Sequence, residues 1–100
     1  MNTPVRNEYK VSIELTAIVE AIELPEPTTF DKLEDAIRYW DGNVSDISAR
    51  LRYWPGADIM GGIEVKQWDA KGNVVRDGWI LHLFQKHTYL NPGLVDAYAA

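Results

Sequence analysis

Residues 29–40 read TFDKLEDAIRYW, and this stretch decides the fold. Its apolar side chains lie three and four residues apart, which is one stripe along a helix: Phe30, Leu33, Ile37 and Trp40. Thr28 or Thr29 offers a hydroxyl N-cap. Gly42, between Asp41 and Asn43, suits the left-handed conformation that often ends a helix. The sequence therefore predicts one amphipathic helix that ends near Gly42.

The chain before this helix alternates between apolar and polar residues. The apolar positions come at every second residue: Tyr9, Val11, Ile13, Leu15 and Ala17. This period predicts a strand with one buried and one solvated face. The alternation breaks at Ile18-Val19, where we expect a bulge or the end of the strand. Pro25-Glu26-Pro27 then excludes further regular structure.

The chain after this helix shows the same alternation in three segments, which predict three strands: residues 47–53, 63–67 and 74–85. Gly61-Gly62 is interpreted as a turn or bulge that enters the second of them. Residues 69–73 form a hairpin loop, with Gly72 in the left-handed position. Gly78 indicates a kink or bulge in the last strand.

Asn91-Pro92 is typical of a helix start, and it predicts a short last helix through Ala100. The element order is then β-α-β-β-β-α. A chain of 100 residues is too short for two independent cores. We expect a single α+β domain over residues 1–100, with an antiparallel sheet of about four strands. The main helix and the short C-terminal helix pack on that sheet.

Composition narrows the classes of function. The net charge is −5, which disfavours generic nucleic-acid binding because phosphate is repelled. The sequence has no cysteine, so disulfides and thiolate metal sites are excluded. Its first ten residues are polar, unlike a secretory signal, and no apolar run approaches the ~20 residues that span a bilayer. These features favour a cytoplasmic protein without membrane contact.

No residue pattern indicates catalysis, a metal or a cofactor. His82 and His87 are predicted to face opposite sides of a continuous strand, which separates them as metal ligands. The carboxylates Asp31, Glu34 and Asp35 suit the first turn of a helix, where they complement its dipole. Glycine occurs in no phosphate-loop spacing. We therefore predict that the protein is not an enzyme.

Aromatic residues are the unusual feature, with four tryptophans in 100 residues. By strand parity, Arg50, Arg52 and Trp54 are predicted to share one sheet face with Trp68, and Tyr39 lies at the edge of the helix stripe. Tryptophan and arginine are enriched at protein-binding hot spots. The predicted partner-binding residues are therefore these five. The alternative is that loops or the last helix cover that face, with arginine stacked on tryptophan.

The favoured hypothesis is a non-catalytic protein-interaction module, such as an inhibitor or an accessory protein of a mobile element. Its partner is another protein or a second copy in a homodimer. One alternative is a nucleic-acid-binding sheet that uses basic side chains: Arg50, Arg52, Lys66, Lys71 and Arg76. The α-β-β-β-α order of residues 29–100 resembles that of double-stranded RNA-binding domains but lacks their basic last helix. The other alternative is a small-molecule site with His82, Tyr89 or Glu64.

Overall fold

The computed structural model describes residues 4–91, and its architecture is α+β with a five-stranded antiparallel sheet. The elements in chain order are β1 (Arg6–Leu15), β2 (Thr28–Phe30), α1 (Leu33–Leu51), β3 (Ile59–Trp68), β4 (Val74–Phe84) and β5 (His87–Leu90). The strand order across the sheet is β2-β1-β3-β4-β5. The fold class predicted from the sequence is confirmed, but the number of strands is five rather than four.

The first strand, β1, lies inside the sheet between β2 and β3. Its register with β3 runs without interruption from Arg6 opposite Trp68 to Leu15 opposite Ile59. The predicted alternation is confirmed, since Tyr9, Val11 and Ile13 are buried. The strand ends at Leu15, so the break in the pattern at Ile18 falls in the loop that follows.

The helix α1 is longer than the sequence predicted. It runs from Leu33 to Leu51, so Gly42 lies inside it and the predicted strand at residues 47–53 is wrong. The predicted apolar stripe is only partly confirmed, since Trp40 is buried but Ile37 is 41% exposed and Phe30 lies in β2. The buried face of the helix continues through Ile47 and Leu51, four residues apart. An internal glycine costs a helix only about 1 kcal/mol relative to alanine, and burying two large aliphatic side chains outweighs that cost.

The start of α1 also differs from the prediction. Thr28 and Thr29 are in β2, and Lys32 is the N-cap, with no side-chain hydrogen bond. The hydroxyl of Thr28 instead donates to the Glu26 carbonyl at 2.9 Å, and its oxygen lies 3.2 Å from the Tyr39 hydroxyl. The Phe30 ring packs on the Tyr39 ring, with centroids 5.2 Å apart. These contacts fix the short strand β2 against the helix.

The core lies between α1 and the strands β2, β1 and β3. Its buried apolar side chains include Val11, Ile13, Trp40, Ile47, Ile63 and Val65. Gly61 and Gly62 lie within β3, not in a turn before it. A Cβ atom on Gly61 would overlap the Ser12 carbonyl oxygen, and one on Gly62 would overlap the Leu81 carbonyl oxygen. The sheet at this point therefore requires glycine.

The predicted hairpin between β3 and β4 is confirmed. The Asp69 carboxylate accepts hydrogen bonds from the backbone N–H groups of Lys71 and Asn73, at 2.9 and 3.0 Å. Gly72 has φ +83°, the left-handed conformation that the sequence predicted. The predicted irregularity at Gly78 is also present, with φ +144° and a bulge that begins just beyond it.

The strand β5 was missed in the sequence. Gln85 and Lys86, with φ +51° and +66°, form a two-residue turn that reverses the chain after β4. Turns of this kind favour Asn-Gly, so Gln-Lys gave no signal. The predicted C-terminal helix lies outside the described residues apart from Asn91, whose N–H donates to the Ile80 carbonyl at 3.0 Å.

Candidate functional site

The two faces of the sheet are covered differently. The helix α1 packs on one face, and no helix or strand within residues 4–91 packs on the other, which we call the outer face. Residues directly opposite each other in an antiparallel pair share a face. The pairs Glu64 with Trp79, His82 with Tyr89, and Phe84 with His87 therefore identify what the outer face displays on β4 and β5.

Aromatic rings cover the outer face of β4 and β5. We call this set the aromatic ladder: Trp79, His82, Phe84, His87 and Tyr89. The rings of Trp79 and His82 stack with centroids 5.1 Å apart and planes 25° apart. Phe84 continues the stack on His82 at 6.3 Å and 17°. His87 and Tyr89 form a tilted pair at 6.4 Å on β5.

The bulge in β4 builds this ladder. Ile63 is opposite Leu81 while Glu64 is opposite Trp79, which leaves Ile80 as an extra residue. Trp79 and His82 therefore share a face although they are three residues apart, and Ile80 turns into the core, where it is 4% exposed. Without the bulge, residues at this spacing would lie on opposite faces.

The outer face of β1 and β3 has a different character, because charges of opposite sign lie directly across from each other. Glu8 is opposite Lys66, and Lys10 is opposite Glu64. On the other side of β3, Lys66 is opposite Asp77. Such cross-strand pairs stabilise a sheet modestly and leave little net charge on this half of the face.

Trp68 lies on the outer face, as predicted, but it already has a partner. The Arg6 guanidinium carbon is 3.9 Å from the ring centroid, and the Lys66 ammonium is 5.9 Å from it. The ring is half-buried. The stacking of arginine on tryptophan is one part of the predicted alternative, and the other part, cover by the last helix, lies outside the described residues.

The other predicted partner-binding residues are not on the outer face. Arg50 is in α1, where it pairs with Asp46 at 3.4 Å. Arg52 and Trp54 follow the helix, so the prediction that they share a sheet face with Trp68 is wrong. The error follows from the strand assigned to residues 47–53, because a helix and a strand distribute the same residues over different faces.

Two small aromatic clusters account for the remaining predicted residues. Arg52 donates to the Tyr53 hydroxyl at 2.9 Å, and the Tyr53 and Trp54 rings meet edge to face at 6.2 Å. This cluster lies just beyond the helix end. Tyr39 is the half-buried ring that joins α1 to β2 through Thr28 and Phe30.

Sequence reasoning missed the ladder for two reasons. After the bulge at Trp79, the side chains of β4 alternate between the two faces in the opposite phase. The turn before β5 has no typical turn residues, so β5 was not predicted. The same turn changes the interpretation of the histidines, because His82 and His87 lie on one face and not on opposite faces. Gly78 was the available signal, since a glycine within a strand often accompanies a bulge.

The described residues do not form a metal centre, since no group of three or more potential ligands lies together among them. None of their helices is long and apolar enough to cross a membrane. A groove on the outer face is lined by the charged pairs beside Trp79. Comparison with protein-family models, curated proteins and solved structures finds no match for the chain.

Proposed function

We propose that this chain is a non-catalytic protein-interaction module of the cytoplasm that binds a partner through its aromatic ladder. The observation that carries the proposal is the open stack of Trp79, His82 and Phe84. Trp79 is 39% exposed and Phe84 is 42% exposed, although both are large and apolar in part. The module would act as an inhibitor or as an accessory protein.

The rings of the ladder stack on one another before a partner arrives. Each ring contacts the next along the strand, so binding costs little further side-chain ordering. Large aromatic rings on such a surface contribute a disproportionate share of binding energy when a partner removes them from water. The charged half of the outer face would then supply the polar rim of the interface.

The nucleic-acid alternative has less support from the placement of charge. The ladder itself contains no Lys or Arg. Arg50 and Arg52 are at the end of α1, and Arg76 is opposite Gln67 on the helix side of the sheet. A backbone of phosphates requires a continuous basic track beside the stacked bases. Two lysines, Lys10 and Lys66, lie on the outer face near Trp79, and each is directly opposite an acidic residue, so they do not form such a track.

The test compares two tryptophan variants of nearly equal exposure. Trp79→Ser removes a ring from the ladder, and Trp54→Ser removes one that is 37% exposed elsewhere. Immobilised wild-type and variant chains capture proteins from an extract of the producing cells, and mass spectrometry identifies what each retains. We expect Trp79→Ser to weaken capture of a partner by about 30-fold or more, as for a hot-spot residue, and Trp54→Ser to leave it unchanged.

Three results would contradict the proposal. Equal loss with both variants, while circular dichroism shows each of them folded, means that the ladder is not the specific binding surface. No loss with Trp79→Ser removes the ladder from the interface. The third result is that the chain binds a labelled single-stranded oligonucleotide at ~50 mM salt, and that this binding requires Trp79 and weakens as salt is added. The partner would then be a nucleic acid and not a protein.

A further inference from the structure

The two edges of the sheet differ in how they are protected. At one edge, β2 has three residues and is preceded by Pro25 and Pro27 and followed by Asp31. Short edge strands, prolines and charges are the usual devices against pairing with another chain. At the other edge, β5 has the sequence HTYL, with no Lys, Arg, Asp, Glu or Pro within it, although Lys86 precedes it and Pro92 follows Asn91.

All four residues of β5 are exposed, and both of its faces are apolar in part. Tyr89 is 56% exposed on the outer face, and Leu90 is 62% exposed on the helix side. No strand among the described residues lies beyond β5. An apolar edge strand with free backbone groups is a template for another strand.

The hydrogen bonds of β5 show which groups are free. The Asn91 N–H donates to the Ile80 carbonyl, so Asn91 directs its backbone toward β4. Alternate residues of an antiparallel strand direct their backbone groups to the same side. His87 and Tyr89 therefore also face β4, and the N–H and C=O groups of Thr88 and Leu90 face away from it.

We infer that β5 is a self-pairing edge, and that the occupant of this edge is a second copy of the chain, which leaves Trp79 and the face of the ladder free for a protein partner. Antiparallel pairing about a two-fold axis at Tyr89 places Thr88 of each copy opposite Leu90 of the other. Each such pair exchanges both of its backbone hydrogen bonds. The axis makes the contact isologous, so one strand supplies both halves of the interface.

This register also gives the exposed side chains of β5 partners in the second copy. Tyr89 of one copy lies beside Tyr89 of the second, a pair that makes no backbone hydrogen bonds and in which the Cα atoms are about 4.5 Å apart. The two ladders join into one aromatic surface across the axis. On the helix side, the exposed Leu90 packs beside Thr88 of the second copy. No charge on β5 opposes the contact, although each chain carries −5.

The inference goes beyond the proposed function, because it names the occupant of the sheet edge beside the ladder, and it can fail separately. A contact of four residues on each side belongs to the weak class of interface, below about 1,200 Å² in total area. Sedimentation equilibrium at concentrations up to about 1 mM is therefore the appropriate measurement for the full chain. We expect wild type to reach twice the mass of one chain.

Two kinds of variant test the edge. Thr88→Pro removes an outward N–H while leaving the inward hydrogen bonds of β5, and prolines are tolerated at sheet edges. We expect it to weaken association at least 10-fold, with Thr88→Ser as the matched control that leaves association unchanged. Circular dichroism verifies that both remain folded.

Charge substitutions at the axis test the register without depending on proline. Tyr89→Lys alone and Tyr89→Glu alone each place like charges across the axis, so we expect each to remain a monomer. An equimolar mixture of the two restores the dimer, because the charges are then opposite.

Different results overturn the inference and the proposed function. A wild-type monomer throughout this range overturns self-pairing, and the proposed function stands if Trp79-dependent capture of another protein persists. A dimer that tolerates Thr88→Pro but is lost with Trp79→Ser joins by its faces, which also overturns the edge. If the mixed Tyr89 variants stay monomeric while each alone is folded, the two-fold axis is not at Tyr89.

Discussion

The two ends of the sheet differ in how far their side chains are buried. In the packed part, which comprises β2, β1, β3 and α1, side chains such as Val11 and Ile63 are almost completely buried. In the hairpin of β4 and β5, only Ile80 is buried to that degree, and every residue of β5 is exposed. Buried apolar contacts are therefore concentrated at one end of the sheet, and the other end displays aromatic rings to solvent.

The helix determines this division. It lies mainly over β1, β3 and β2, and so the sheet extends beyond its cover. A hairpin with little buried apolar surface gains little from the hydrophobic effect, and its contribution to stability comes from backbone pairing with β3. Its side chains are consequently free to serve binding without a large loss of stability.

The largest expected effect is at the centre of the packed part. Gly61→Ala should destabilise the protein by more than about 4 kcal/mol or prevent folding, since a Cβ would overlap the Ser12 carbonyl and Gly61 has φ +133°. Gly42→Ala is the matched control, because a Cβ there meets nothing and alanine favours a helix by about 1 kcal/mol. Urea denaturation measures both, and a Gly61→Ala variant of normal stability would contradict the close approach of β1 and β3.

The next effect compares one side chain in each region. Ile63 is 0% exposed, and Ile63→Ala should lower the free energy of unfolding by about 2–5 kcal/mol because the change leaves a cavity. Leu90→Ala in dilute solution should cost less than about 0.5 kcal/mol, as expected at an exposed site. Similar losses at the two positions, measured by chemical denaturation, would remove the contrast between the two regions.

Hydrogen exchange sharpens the comparison without any substitution. At dilutions where the chain is a single copy, the inward amides of His87 and Tyr89 should exchange at least about 100-fold faster than those of Val11 and Ile63. The reason is that a hairpin with few buried contacts opens locally at a lower free energy than the core. Equal protection of β5 and β1 would show that the sheet opens as one unit.

The smallest effect is at the turn between β4 and β5. Gln85→Asn combined with Lys86→Gly should stabilise the protein by about 1 kcal/mol, because both residues have positive φ. Lys86 also pairs with Asp58 at 3.8 Å, but it is largely exposed, and losing this pair subtracts only a few tenths of a kcal/mol. Thermal unfolding measures the gain, and a lower midpoint would mean that the turn is not strained.

What the sequence predicted correctly was local. The alternation in β1 and the Asp69–Asn73 hairpin depend on neighbouring residues, and both are as expected. Residues 43–51 were not predicted as helix, because Ile47 and Leu51 fit a strand of period two and a helix of period 3.6 equally well. Only packing against β1 and β3 distinguishes the two, and that information is not local.

The candidate surface was less predictable than the fold. Trp68 was placed on the correct face, but its stacking by Arg6 depends on a strand more than sixty positions away in the register. The ladder depends on a bulge and on a turn without glycine, and both are decided by the sheet as a whole. A count of tryptophans therefore pointed to an aromatic surface without locating it.

The position of β1 has a consequence for the order in which the molecule assembles. β1 is made first, yet its longest partner, β3, ends only at Trp68. The β3–β4 hairpin, in contrast, is closed by a short turn and requires no distant segment. Because pairing between distant segments slows folding, we expect the strands after α1 to form early and β1 to enter last. Until it does, β3 itself is an open edge of the sheet. How long the newly made chain exposes that edge depends on how fast β1 inserts.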